Sequence, residues 1–78
     1  MPWVECQVTR AGPAENGTIY IALKANDNSF HHWFQANQSM EKEMLATALA
    51  ALSMDKGVTT LLTDTVQYSE IQRLYVNR

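Results

Sequence analysis

Residues 39–63 read SMEKEMLATALAALSMDKGVTTLLT, and the reading of this stretch sets the fold class. From Met40 to Met54 there is no glycine, no proline and a single β-branched residue, Thr47. Ala, Leu, Met, Glu and Lys fill most of it, and all are strong helix formers. Ser39 is placed to cap the helix by accepting a backbone N–H. Glu41 and Glu43 fall in the first turn, where the helix dipole favours acids. Gly57 predicts the stop, since glycine often follows the last helical turn. The composition then changes abruptly: Val58 to Thr63 is rich in β-branched residues and leucine, as a strand requires.

At about 100° per residue, Leu45, Ala48, Leu49 and Leu52 form one stripe of this helix. Met40, Met44 and Ala51 lie on its shoulder. The apolar arc spans roughly half the circumference, wider than the ~100° an ordinary surface helix buries. A sheet is expected to cover the leucine stripe. The methionine shoulder then needs a second partner, so Met40, Met44 and Ala51 are the candidate oligomer interface.

Upstream, the apolar period shortens to two. Val4, Cys6 and Val8 alternate with Glu5, Gln7 and Thr9, which predicts a strand over Trp3 to Arg10. Gly12-Pro13 and Asn16-Gly17 punctuate the chain, and Asn-Gly suits a tight turn with positive φ. In Thr18 to Ala25, Ile19, Ile21 and Leu23 share one face, with Tyr20, Ala22 and Lys24 on the other. Asn26 to Ser29 is a loop of residues that bond their own backbone. Phe30 to Ala36 is a third strand, with Phe30, His32 and Phe34 opposite His31, Trp33 and Gln35. Downstream, Asp64 to Ser69 forms a polar loop around Val66 and Tyr68. Glu70 to Val76 carries two patterns. Ile71, Leu74 and Tyr75 have helical spacing, while Leu74 and Val76 alternate. A strand is preferred, because a hairpin with Val58 to Thr63 closes the sheet.

The order β-β-β-α-β-β in one 78-residue domain predicts an α+β fold. It is a five-stranded antiparallel sheet, or an OB-like barrel with one central helix. The helix lies on one sheet face or plugs one end of the barrel.

Several segments, taken together, resemble a known layout. They are Gly17-Thr18-Ile19-Tyr20-Ile21-Ala22-Leu23, the aromatic Trp33-Phe34, the helix from Lys42 to Ala51, Lys56-Gly57-Val58 and Tyr68-Ser69-Glu70-Ile71. Their order is similar to that of a group of small uncharacterised bacterial proteins. In outline it also resembles the receptor-binding B subunits of AB5 toxins, especially the subtilase-cytotoxin type. The resemblance covers about Gly17 to Val76 in spacing and composition. It implies an OB-like barrel, a pentameric ring with helices toward the axis, and glycan binding on the outside. Those B subunits are exported and disulfide-bonded, whereas Cys6 is the only cysteine here. Their sugar-contacting residues have no counterpart that can be carried over.

Hydrophobic residues make up 46% of the chain and charged residues 18%, a globular composition with sparse charge. Net charge is −2, and Arg10, Lys24, Lys42, Lys56, Arg73 and Arg78 are scattered. Without a basic patch to neutralise phosphates, nucleic acid is not an expected partner. No apolar stretch is long enough to span a bilayer. The start, Met1-Pro2-Trp3-Val4-Glu5, lacks the pattern of a signal peptide, which predicts a cytoplasmic protein. A mature secreted chain would read the same way.

No catalytic, cofactor or metal motif is present. His31 and His32 are neighbours on a strand, point to opposite faces and cannot chelate one ion together. Cys6 alternates in phase with Val4 and Val8, which predicts a small buried hydrophobe and not a nucleophile. Asp27, Asp55 and Asp64 sit in loops as turn formers. The aromatic residues that need not face the helix, Trp33, Tyr20 and Trp3, join His31 as candidate ligand-binding residues. The expected function is a non-catalytic homo-oligomeric module that binds a small molecule, a glycan or a protein. The alternatives are a small enzyme or carrier using a His/Trp pocket, and an OB-like single-strand nucleic-acid binder.

Overall fold

The computed structural model describes residues 3–77. Its elements are β1 (Trp3–Pro13), β2 (Ile19–Ala25), β3 (His31–Ala36), a 3-10 turn (Gln38–Met40), α1 (Glu41–Met54), β4 (Gly57–Leu62) and β5 (Glu70–Val76). The strands close into a barrel in the order β1-β2-β3-β5-β4. This is the α+β, OB-like arrangement with one helix. Glu70 to Val76 is a strand, and it lies inside the closed sheet, not at an edge.

The sheet is mixed, which corrects the expectation of a purely antiparallel one. β3 and β5 run parallel through Gln35↔Glu70 and Ala36↔Ile71, while the other pairs are antiparallel. The reason is geometric. Successive reversals leave β1, β3 and β5 pointing the same way. Once β5 inserts between β3 and β4, its contact with β3 has to be parallel.

Strand alternation fills the interior. Val8, Ile21, Leu23, Phe34, Val58, Leu62 and Ile71 are buried there, with Cys6 among them. Two β-bulges interrupt the period of two. In β1, Val8 pairs with Leu23 and Arg10 pairs with Ala22, so Thr9 is the extra residue. Continued alternation from Val4, Cys6 and Val8 would have aimed Arg10 into the core. The bulge turns Arg10 outward, and Ala11 packs against the core instead. In β5, Leu62 pairs with Ile71 and Leu61 with Arg73, leaving Gln72 extra. That insertion separates the buried Ile71 and Leu74 by three residues. The apparent helical spacing of this strand is the signature of the bulge.

Both helix ends differ from the sequence reading. The chain makes a 3-10 turn before α1, so the Asn37 carboxamide oxygen accepts from the Ser39 N–H at 3.0 Å and from its hydroxyl at 2.7 Å. Ser39 is therefore capped and is not the cap. At the other end Asp55 adopts the left-handed conformation with φ 53°, and the Lys56 N–H donates to the Ala51 carbonyl at 2.9 Å. Gly57 already belongs to β4, opposite Gln7.

The buried face of α1 is shifted from the leucine stripe onto the methionine shoulder, with Ala48 common to both. Met44, Ala48 and Ala51 are buried, at 4%, 0% and 1% exposure, while Leu49 and Leu52 remain 49% and 38% exposed. Met44 and Ala51 are thus core residues and cannot form an interface; Met40, at the helix start, is exposed. α1 touches β1, β2, β3 and β5, so it lies across a barrel end and not on one sheet face. The interior is already filled by large side chains, and the helix approaches through the small Ala48 and Ala51 with Met44 beside them. Substituting Ala48→Leu should therefore lower stability by about 1–3 kcal/mol through overpacking. The same change at the exposed Ala46 should stay within about 0.5 kcal/mol. Denaturant unfolding checks this, and equal costs at the two sites would contradict the assigned face.

Candidate functional site on the outer barrel face

Alternation that sends Ile21, Leu23 and Phe34 inward sends Tyr20, Ala22, Lys24, His31, Trp33 and Gln35 outward. The strand register sets Arg10, Ala22 and Trp33 in one row across three strands. Gly12, Tyr20 and Gln35 form the next row, and Lys24 lies opposite His31. Ala22 and Gly12 are the short members of these rows and make a floor between taller side chains. A Cβ added at Gly12 would meet nothing within 4 Å, so the missing side chain leaves open space.

Above Gly12 lies a groove of about 590 Å³, bounded by Arg10, Gly12, Pro13, Tyr20, Trp33 and Tyr68. This volume suits a small-molecule ligand. A second cavity of about 420 Å³ adjoins it, sharing Arg10 and Trp33 and extending to Thr9, His31 and Gln67.

Arg10 and Tyr68 are the site residues that sequence reasoning missed. Arg10 is brought there by the Thr9 bulge. Tyr68 is held there by its loop. It has φ 69°, an uncommon conformation for a bulky side chain. Hydrogen bonds between the β4–β5 loop and β3 hold it there. The Tyr68 N–H donates to the Trp33 carbonyl at 2.6 Å, and the Gln35 N–H donates to the Ser69 carbonyl at 3.0 Å. The Gln35 side-chain amide donates to the Tyr68 carbonyl at 3.1 Å. The Trp33 N–H donates to Gln67 Oε1 at 3.4 Å. The Tyr68 ring meets Tyr20 edge-on at 5.7 Å and stays 54% exposed. Its one sequence signal was an aromatic residue isolated in a polar loop.

The structure brings Trp33 and Tyr20 together at the groove and places His31 in the adjoining cavity. His31 Nε2 lies 2.9 Å from the Thr9 hydroxyl. His32 stacks on Phe30 at 5.9 Å, away from its neighbour's partner. Trp3 is elsewhere: it stacks on Tyr75 at 6.2 Å, so it does not share the site.

Cys6 is fully buried, and desolvation, aided by the charge of Asp27, pushes its thiol up to about 11. The Ser29 hydroxyl and N–H hold the Asp27 carboxyl below the usual carboxylate range. Asp27 thus acts as the loop former its position predicts. Among the described residues, no three His, Cys, Asp or Glu side chains converge on a point where a metal could sit. No helix among them is long and apolar enough to cross a membrane.

Comparison with protein-family models, curated proteins and solved structures finds no significant match. The geometry therefore carries the functional argument. Its chemistry at Cys6 is testable: a thiol reagent at neutral pH should leave folded Cys6 unmodified and label it promptly in denaturant. Rapid labelling of the folded chain would contradict its placement in the core.

Proposed function

We propose that this chain is a non-catalytic binding module that works as a homo-oligomer. It joins copies through α1 and takes its ligand on the outer face of β1, β2 and β3. One observation carries the reading: Leu45, Leu49 and Leu52 recur along one side of a helix whose opposite shoulder is consumed by the core, and the last two stand open to water. Met40 is also exposed, at the helix start on the methionine shoulder, whereas exposed Met54 lies on the far side of the helix from these leucines. Leucines at such spacing form the seam of helix–helix contacts, and contiguous exposed apolar surface marks interaction sites. The proposed interface is therefore Leu45, Leu49 and Leu52 with Met40, in place of Met44 and Ala51. A five-subunit ring with helices toward its axis, as the toxin-subunit resemblance implies, would seal this seam.

The ligand side is the groove at Trp33, Tyr20 and Tyr68, open to a small molecule, a glycan or a segment of protein. His31 meets a threonine hydroxyl and no acid–base partner, which favours binding over catalysis. A second reading has its own support. The groove lies on β2 and β3 between the β1–β2 and β4–β5 loops, where OB-like barrels hold oligonucleotides and oligosaccharides. Arg10 and Lys24 are the only arginine and lysine among the outward residues of this face, a short track for a phosphate backbone.

Multi-angle light scattering at micromolar concentration tests the assembly. The expected mass is several times that of one chain. Leu49→Glu combined with Leu52→Glu should give single chains with unchanged circular dichroism. A natural chain that runs as a monomer, or a double variant that still assembles, would overturn the proposal. Oligonucleotide affinity that falls steeply with salt would favour the second reading.

A further inference from the structure

The outer groove has a chemical character more specific than a generic binding surface. Its walls are aromatic: the Trp33 indole on one side, and Tyr20 with Tyr68 on the other. Gly12 leaves open space at its base, and Ala22 lines the adjoining cavity, so neither position adds a polar side chain. Arg10 stands at the junction of the two cavities, turned there by the Thr9 bulge. No acidic side chain lines either cavity, so no carboxylate of the site competes for the guanidinium. Lys24 and His31, paired across β2 and β3, add no negative charge to this face.

We propose that the groove binds a flat aromatic ring bearing an acidic group, a carboxylate or a phosphate ester, with the ring against Trp33 and the acid on Arg10. This rests on reading the groove as the ligand surface. An arginine fork pairs with either acid through two charge-assisted hydrogen bonds. Aromatic walls favour a flat ring in offset or edge-on contact. A sugar presents many hydroxyls and calls for amide and carboxylate partners. The groove lining has none. The volume of about 590 Å³ accommodates a ligand of one or two rings.

Trp33 fluorescence in a Trp3→Phe background reads the site, since Trp3 and Trp33 are the only tryptophans. The probes are phenyl phosphate, phenylacetate and benzyl alcohol. Saturable quenching is expected for all three, with at least one acid about tenfold tighter than the alcohol. Which acid binds tighter distinguishes phosphate from carboxylate ligands. Arg10→Gln should erase that advantage and leave the alcohol unchanged. Gly12→Leu should weaken all three without altering the circular dichroism, because its side chain enters open space. Equal affinity for acids and alcohol, or an acid preference that survives Arg10→Gln, would overturn the acid assignment. Binding of the alcohol that Gly12→Leu removes would then still uphold the groove as a ligand surface. No saturable quenching by any probe would overturn both.

Discussion

Closure of the barrel through β1 is the constraint on which the rest of the molecule depends. This strand is long enough to serve two partners. Its first part pairs with β4 and its later part with β2, and Cys6 and Gln7 pair on both sides at once. A sheet closed in this way has no free edge to protect. It also has one small interior, filled by Phe34, Ile21, Leu23, Leu62 and Ile71. Two consequences follow. A helix arriving at the barrel end finds little room and docks through two alanines and one methionine. The outward residues of the strands are not claimed by the core, so the face bearing Trp33 and Tyr20 is available for recognition.

The two bulges adapt this closed sheet at particular residues. An unbroken β1 would drive the Arg10 guanidinium into an apolar interior, at a cost no neighbouring acid offsets. The Thr9 bulge instead delivers it to the row of Ala22 and Trp33. The Gln72 bulge lets both Ile71 and Leu74 face inward across a spacing of three. Beside it, buried Thr60 donates its hydroxyl to the Arg73 carbonyl at 2.9 Å, so the polar group inside the barrel is satisfied. The same logic extends to the β4–β5 loop, whose bonds to β3 hold Tyr68 at the groove.

What the sequence reveals depends on the range of the interactions involved. The phase of β2 follows from alternation alone, whereas alternation in β3 defines two aromatic faces without choosing the inner one, and β4 turns Thr60 inward in place of Leu61. The helix limits follow from composition to within a residue or so. The bulges are hidden, since an inserted residue looks like noise in a period of two, and at Ile71 and Leu74 it imitates a helix. The buried face of α1 is hidden for a different reason. Periodicity selects the most apolar stripe, whereas the barrel end takes in Met44 with the small Ala48 and Ala51. Tyr68 depends on hydrogen bonds to residues more than thirty positions away, which no local pattern encodes. The candidate site was accordingly half legible: Trp33, Tyr20 and the neighbouring His31 from strand phase, Arg10 and Tyr68 only from the folded chain.

The orientation of α1 decides whether the leucines are free to act, and methyl nuclear Overhauser spectroscopy on the dilute protein examines it directly. The Met44 ε-methyl and Ala48 β-methyl should show cross-peaks to barrel-interior side chains such as Phe34 and Ile71. The Leu49 and Leu52 methyls should show none to those residues. Cross-peaks linking Leu49 or Leu52 to the barrel interior, with Met44 lacking them, would contradict the account.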